Sequence, residues 1–371
     1  MRPSSFLKRA SLCGALVALT CLLAQASGGS FTGSFSKIDR VASAVPANGD
    51  VNPYGVAVVP RTTGTLVKSH ILVSNFNNSA NLQGTGTTIM DIAPDGTVKV
   101  FAQIDPSKLP GSCPGGVGLT TALVVLRSGW VIVGSLPTTD GTAATAKAGC
   151  LLVLNNRGRV VKTLSGSRQG AAINGPWDMT AFDGEEFAEL FVSNVLNGTV
   201  AANGNVVNRG TVVRIVLLLD EDEGPRELFR TVVGSNFPER TDPAALVIGP
   251  TGLGLGEDGT LYVADTLGNR IAAIPNALRR FTSGHIGTTV SSAGGLNGPL
   301  GLAIAPNHNI LTVNAGDGNL VETTPAGTQF APKLIDTSGA GAGTLFGLAV
   351  RPNNKGIYFV DDGDNTLDLL H

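Results

Sequence analysis

Short apolar runs separated by tight polar turns repeat along this chain in a fixed order. The stretch "GPTGLGLGEDGTLYVADTLGNRIAAI" (residues 249 to 274) has a Pro-x-Gly element leading into an apolar run, an Asp-Gly turn, and the run "LYVAD"; a short turn and a third apolar run then follow. The order recurs as "NGPLGLAIAPNHNILTVNAGDGNLVE" at 297 to 322 and as "LFGLAVRPNNKGIYFVDDGDNTLDLL" at 345 to 370. Earlier copies read "NPYGVAVVP" with "ILVSN" (52 to 75) and "NGPWDMTAF" with "LFVSN" (174 to 194), and a degenerate one reads "TTALVVLRSGWVIVGS" (120 to 135). Runs this short, bounded by Gly, Pro, Asn and Asp, are strand and hairpin signals.

Gly55, Ala122, Asp178, Gly252, Gly301 and Gly347 occupy equivalent positions and mark six copies spaced by 46 to 74 residues. Each copy supplies strands A, B and C, and several add a fourth after turns such as "PDG" (94 to 96), "NRG" (156 to 158) and "PAG" (325 to 327). Four antiparallel strands repeated at this period predict an all-β fold, a six-bladed β-propeller of four-stranded antiparallel blades, because radial closure protects the sheet edges. The last copy ends at its strand C, in "NTLDLLH", while "FSKIDRVASAV" (35 to 45) belongs to no copy. The N-terminal segment is therefore expected to complete the last blade and close the ring, making residues 27 to 371 one domain.

The stretch 249 to 274 resembles an NHL repeat, and the other copies resemble it to lesser degrees, so the likeness covers about residues 50 to 371. The resemblance implies a propeller distantly similar to streptogramin-lyase-like, gluconolactonase-like and strictosidine-synthase-like proteins. It specifies architecture and leaves activity open, since such folds host lyases, lactonases and binding modules alike.

Composition narrows the function classes. The 371 residues include 49 Gly and 20 Pro, only 15 % are charged, and the formal net charge is −2. Without a basic face or run there is no electrostatic reason to expect nucleic acid as a partner. Arg2, Lys8 and Arg9, the apolar stretch from Ser11 to Ala24 and "AQA" before Ser27 form the three-part pattern of a secretory signal, with cleavage expected after Ala26. No later apolar segment reaches spanning length, so the mature chain is expected to be a monomer in the periplasm or secreted, with no membrane span. Cys113 and Cys150 then remain, and an oxidising compartment favours a disulfide between them.

Candidate chemistry gathers at repeat positions. Asn75, Ser135, Asn194, Asp265, Asn314 and Asp361 each end strand B, where a short polar side chain either bonds the next turn or faces a central pocket. Asp178 stands beside Trp177 where the other copies carry Gly or Ala, and a carboxylate near the axis is expensive to bury without a partner. The candidate ligand-binding set is Asn75, Trp177, Asp178, Asn194, Asp265 and Asp361. Asp178, Asp265 and Asp361 are the candidate oxygen ligands for a cation such as Ca2+, and Asp178 is the candidate catalytic group. His70, His285, His308 and His371 show no metal-ligand spacing, so the histidines on which lyase-like relatives of the repeat depend have no match.

The B–C loops are long in copies one to three, "NNSANLQGTG", "LPTTDGTAATAKAG" and "LNGTVAANGNVVNRG", and tight in the rest. Long loops on one side of a rigid scaffold are where binding sites are built. The expectation is an exported propeller that binds a small molecule or protein partner on that face. The alternative is a cation-dependent hydrolase or lactonase using axial Asp and Asn residues.

Overall fold

The computed structural model describes residues 29–220, 224–336 and 343–371, so the expected signal segment, 1 to 26, lies outside the described residues. Six antiparallel sheets make six blades, as the repeat predicts. The innermost strands are Val51–Val58, Leu119–Val125, Pro176–Asp183, Pro250–Leu255, Pro299–Ile304 and Leu345–Val350. Among the described residues, four blades have four strands. Blades two and three each add a short fifth, Ala171–Ile173 and Leu246–Ile248.

The expected closure is present. Ile38–Ser43 pairs antiparallel with Thr366–Leu370, Ile38 opposite Leu370 and Ser43 opposite Thr366, so both ends of the chain share blade six. The backbone carbonyl of His371 accepts the N–H groups of Ser36 and Lys37, and Asp39 meets the His371 ring at 2.8 Å.

Why the middle strands read as continuous apolar runs follows from the architecture. Each blade lies between two others, so both faces of its strands B and C are covered, and strict alternation disappears. Ile71–Asn77, Val131–Ser135, Leu261–Asp265 and Ile310–Asn314 are buried at every residue. The outer strand Val98–Gln103 instead reaches solvent at four of its six residues. The core is accordingly split into interblade clusters: Leu119, Val131, Val133 and Leu152 pack against Leu72 and Ile89, for example, and burying each such side chain contributes about 1.5–3 kcal/mol.

All six inner strands shift register at one place, between Pro53 and Gly55, Leu119 and Leu123, Pro176 and Met179, Pro250 and Leu253, Pro299 and Leu302, and Leu345 and Leu348. This bulge bends the strand beside the axis, and it explains the recurring glycine. A Cβ on Gly301 would lie 1.9 Å from the carbonyl oxygen of Phe346, and one on Gly347 would lie 2.3 Å from that of Tyr54. Neighbouring inner strands therefore approach too closely for a side chain. Ser74 and Ser193 finish the joint in blades one and three. Each accepts the bulged amide of its own blade, Gly55 or Asp178, and donates to a carbonyl of the next, Thr120 or Thr251.

Candidate functional site

Because each inner strand is paired on one side only, its other edge joins no further strand and faces the axis. These edges and their side chains enclose an axial cavity of about 330 Å³, a size within the range of small-molecule sites. Val56, Leu123, Met179, Leu253, Leu302 and Leu348 form one layer of its wall. Small residues, among them Ala57, Thr180, Gly254, Ala303 and Ala349, form the next.

One end of the axis is plugged. Tyr54 stacks on Phe346 with ring centroids 3.7 Å apart and on Phe76 at 4.6 Å, and Trp177 lies 6.2 Å from Phe346. The Trp177 indole N–H donates to the carbonyl of Val247 at 3.0 Å, so the Leu246–Ile248 strand of blade three is drawn over the plug. The plugged end is the one carrying the B–C loops. The cavity opens instead at the A–B turns, where Thr180, Ala181, Asp183 and Leu255 are shared with a vestibule of about 630 Å³ that also contacts Arg127, Glu185, Glu257 and Leu278.

Asp178 sits at the inner end of the cavity and is 7 % exposed. Its side chain occupies the place where the other blades leave room only for Gly or Ala, and Oδ2 accepts the amide of Leu253 across the joint with blade four at 2.9 Å. Burial raises its carboxyl from 3.8 to about 7, against the opposing pull of the Leu253 and Met179 amides. An acid poised near neutrality inside a cavity is a feature that functional sites build. Asp183, on the same strand, sits at the mouth. Burial raises its carboxyl too, against the backbone amide and charge of Arg127, and its Oδ1 is buried without a hydrogen-bond partner.

The other residues named from the sequence do not line this cavity. Trp177 belongs to the plug. Asn75, opposite Pro53, donates to the carbonyl of Ala44 at 2.9 Å. Asn194, opposite Pro176, accepts the amide of Asn174 at 3.2 Å. Asp265 pairs with Arg270 at 2.8 Å and accepts the amide of Gly268; burial pushes its carboxyl up, while Arg270 opposes the rise. Asp361 accepts the amide of Gly363 at 3.0 Å, and burial together with the nearby Asp336 lifts its carboxyl to about 6. These four are thus dispersed around the ring, one per blade, each tied to a local loop or turn. Among the described residues, no group of three or more His, Cys, Asp and Glu gathers in a way that holds a metal ion.

The long-loop face carries its own pocket of about 520 Å³ between blades six and one, lined by Asn52, Asn77, Asn81, Gln83, Asp362 and Asn365 among others. Cys113 and Cys150 form the expected disulfide, with Cα atoms 5.2 Å apart; it joins the loop before the inner strand of blade two to strand C of that blade. Asp183, Leu246 and Val247 are the contributors that the sequence reading missed. For Asp183 the available signal was its place at the end of the strand that begins with Asp178.

No protein-family model matches this sequence, and no curated protein matches it. Solved structures do match in fold. A gluconolactonase from Xanthomonas campestris superimposes with a TM-score of 0.56 at 14 % identity, over 90 % of this chain and 88 % of the other. Streptogramin B lyase gives 0.52 at 13 % identity, over 90 % and 97 %. A calcium-binding regucalcin from Agrobacterium tumefaciens gives 0.51 at 12 % identity, over 91 % and 93 %. The chain thus has the six-bladed architecture shared by these proteins.

Proposed function

We propose that this protein is an exported small-molecule-binding propeller and that its site is the axial cavity. The observation that carries the reading is the placement of Asp178: a carboxyl enclosed at the dead end of a cavity open at its other end, with burial raising its affinity for a proton. Burying such a group costs stability, and a ligand that donates to it recovers part of that cost. The disulfide and the lack, among the described residues, of a helix long and apolar enough to cross a membrane are compatible with export.

The test is a thermal-shift screen of a metabolite library against the wild type, Asp178→Asn and the cavity-filling variant Ala303→Phe. Ligands of the axial site raise the melting temperature of the wild type and lose that effect in Ala303→Phe. Stabilisation that persists unchanged in the filled variant places binding elsewhere.

A second reading, a cation-dependent hydrolase or lactonase, is favoured by the same carboxyl, since an acid that titrates near neutral pH suits general acid or base work. Gluconolactonase and regucalcin share the fold. Lactone turnover that depends on added Ca2+ and is abolished in Asp178→Asn supports this reading; a stable wild type without turnover or bound metal removes it.

A further inference from the structure

The axial cavity has an acid at each end. Asp178 and Asp183 lie on one strand, Pro176–Asp183, five residues apart, which in extended backbone is about 17 Å. Among the described residues, they are the Asp and Glu side chains that line the cavity. Between them the wall offers two things: small apolar side chains such as Val56, Ala181, Ala303 and Ala349, and the inner edges of six strands that pair with no further strand on that side.

Outside the mouth, the vestibule sets three carboxylates, Asp183, Glu185 and Glu257, against one guanidinium, Arg127. Its field draws cations in and turns anions away. Asp183 accepts the Arg127 backbone amide through Oδ2 at 2.7 Å, and its Oδ1 is enclosed by protein without a partner, so an ammonium at the mouth meets this carboxylate on its Oδ2 side. The Asp178 carboxylate has the backbone amides of Leu253 and Met179 for company, and no cationic side chain among the described residues pairs with it.

We infer that the axial cavity takes a linear aliphatic polyamine, with one terminal ammonium on Asp178, the other on Asp183, and the methylene chain between them along the apolar wall. This rests on the reading of the axial cavity as the binding site. Each requirement of such a ligand is met by a feature already described. An ammonium has three N–H donors and no acceptor, so at the inner end it is satisfied by the carboxylate and by edge carbonyls. A diol of equal length supplies the hydrogen bonds without the charge. A monoamine reaches only one acid. Binding also expels the proton that Asp178 holds near neutral pH, because a cation at contact distance favours the ionised carboxyl.

The deciding measurement is calorimetric titration of the wild type with putrescine, spermidine and spermine, beside a long-chain alkylamine and a long-chain α,ω-diol. It is run near neutral pH in two buffers of different ionisation enthalpy. The expected result is binding of the longer polyamines with release of protons. Affinity falls about tenfold or more in Asp178→Asn and in Asp183→Asn, and proton release is lost in Asp178→Asn while the circular dichroism spectrum is retained. Polyamine binding no tighter than that of the diol, or unchanged by both substitutions, overturns the inference.

The library screen with Ala303→Phe, or Ala349→Phe where the first misfolds, separates the two levels. If neutral molecules bind and the filled variant blocks them while polyamines do not bind, the axial site stands and the ligand class falls. If no compound, polyamines included, binds in a way sensitive to filling, both fall.

Discussion

Thr32 donates its backbone N–H and its hydroxyl to one carboxylate oxygen of Glu322, at 2.9 and 2.7 Å, across 290 residues of sequence. Ser30, the amide of Phe31 and Asn309 complete the cradle, and Phe31 and Phe35 pack edge to face above the core between blades five and six. The segment before the closing strand is thereby strapped to blade five.

Glu322→Ala leaves these donors unmet and is expected to cost on the order of 3 kcal/mol, read by urea denaturation. The pH dependence has a defined sign. Burial pushes the Glu322 carboxyl up, yet the donors of Asn309, Thr32, Phe31 and Ser30 outweigh burial and bring it from 4.5 down to about 2. Its contribution is therefore present above pH 4.5 and lost as pH falls toward 2. Hydrogen exchange of the amides around residues 31 to 38 should accelerate in that window in the wild type and be fast throughout in Glu322→Ala.

Asp178 predicts the opposite sign. Its folded carboxyl holds a proton to about 7 against an ordinary 3.8, so the unfolded chain releases protons first and stability falls as pH rises through that interval. The full penalty above pH 7 is up to about 4 kcal/mol. Asp178→Asn should raise the melting temperature at pH values above 7 and leave it nearly unchanged below 3.8. A variant that is destabilised equally at both extremes would assign Asp178 a purely structural hydrogen bond.

The disulfide closes 37 residues of sequence separation, and in the chain-entropy model a loop of that size contributes about 4 kcal/mol. The double variant Cys113→Ala with Cys150→Ala should lose most of this in chemical denaturation, and a reductant should lower the wild-type midpoint toward that of the variant. The second long B–C loop, residues 136 to 149, should then become a protease-sensitive site.

Phe346 is the centre of the axial plug, in contact with both Tyr54 and Trp177. Phe346→Ala should cost about 3–5 kcal/mol and open the axis from the cavity toward the long-loop face. Trp177 fluorescence, shielded in the wild type, should become accessible to acrylamide. Unchanged quenching in a folded variant would mean that the strand Leu246–Ile248 seals the axis alone.

Blade count, the closing strand and the disulfide were legible because each arises from something that leaves a periodic or countable mark. Strands B and C are covered on both faces, so they keep their apolar runs, and the bulge of the inner strand keeps its Gly. The site was only half legible. Asp178 showed itself by breaking the pattern, but Asn75, Asn194, Asp265 and Asp361 face local loops and turns because strand B is second from the axis and lies behind the inner strand. Which end of the axis is open depends on the residue just before the repeat position, Tyr54, Trp177, Leu300 or Phe346, and on a hairpin found in one blade. The large apolar residue stands in four of the six copies and the covering hairpin in blade three, so the repeat pattern does not say which end is closed. The strap at Ser30 to Thr32 is short and belongs to no repeat copy, and its partner Glu322 lies 290 residues beyond Thr32.

The pairing of Ile38–Ser43 with Thr366–Leu370 has a consequence for biogenesis. A strand made early must wait, unmated, for one made hundreds of residues later, so this pairing carries a large loop-closure entropy. The preceding blades can condense before that later strand exists, but the circle locks only once Thr366–Leu370 is available to pair.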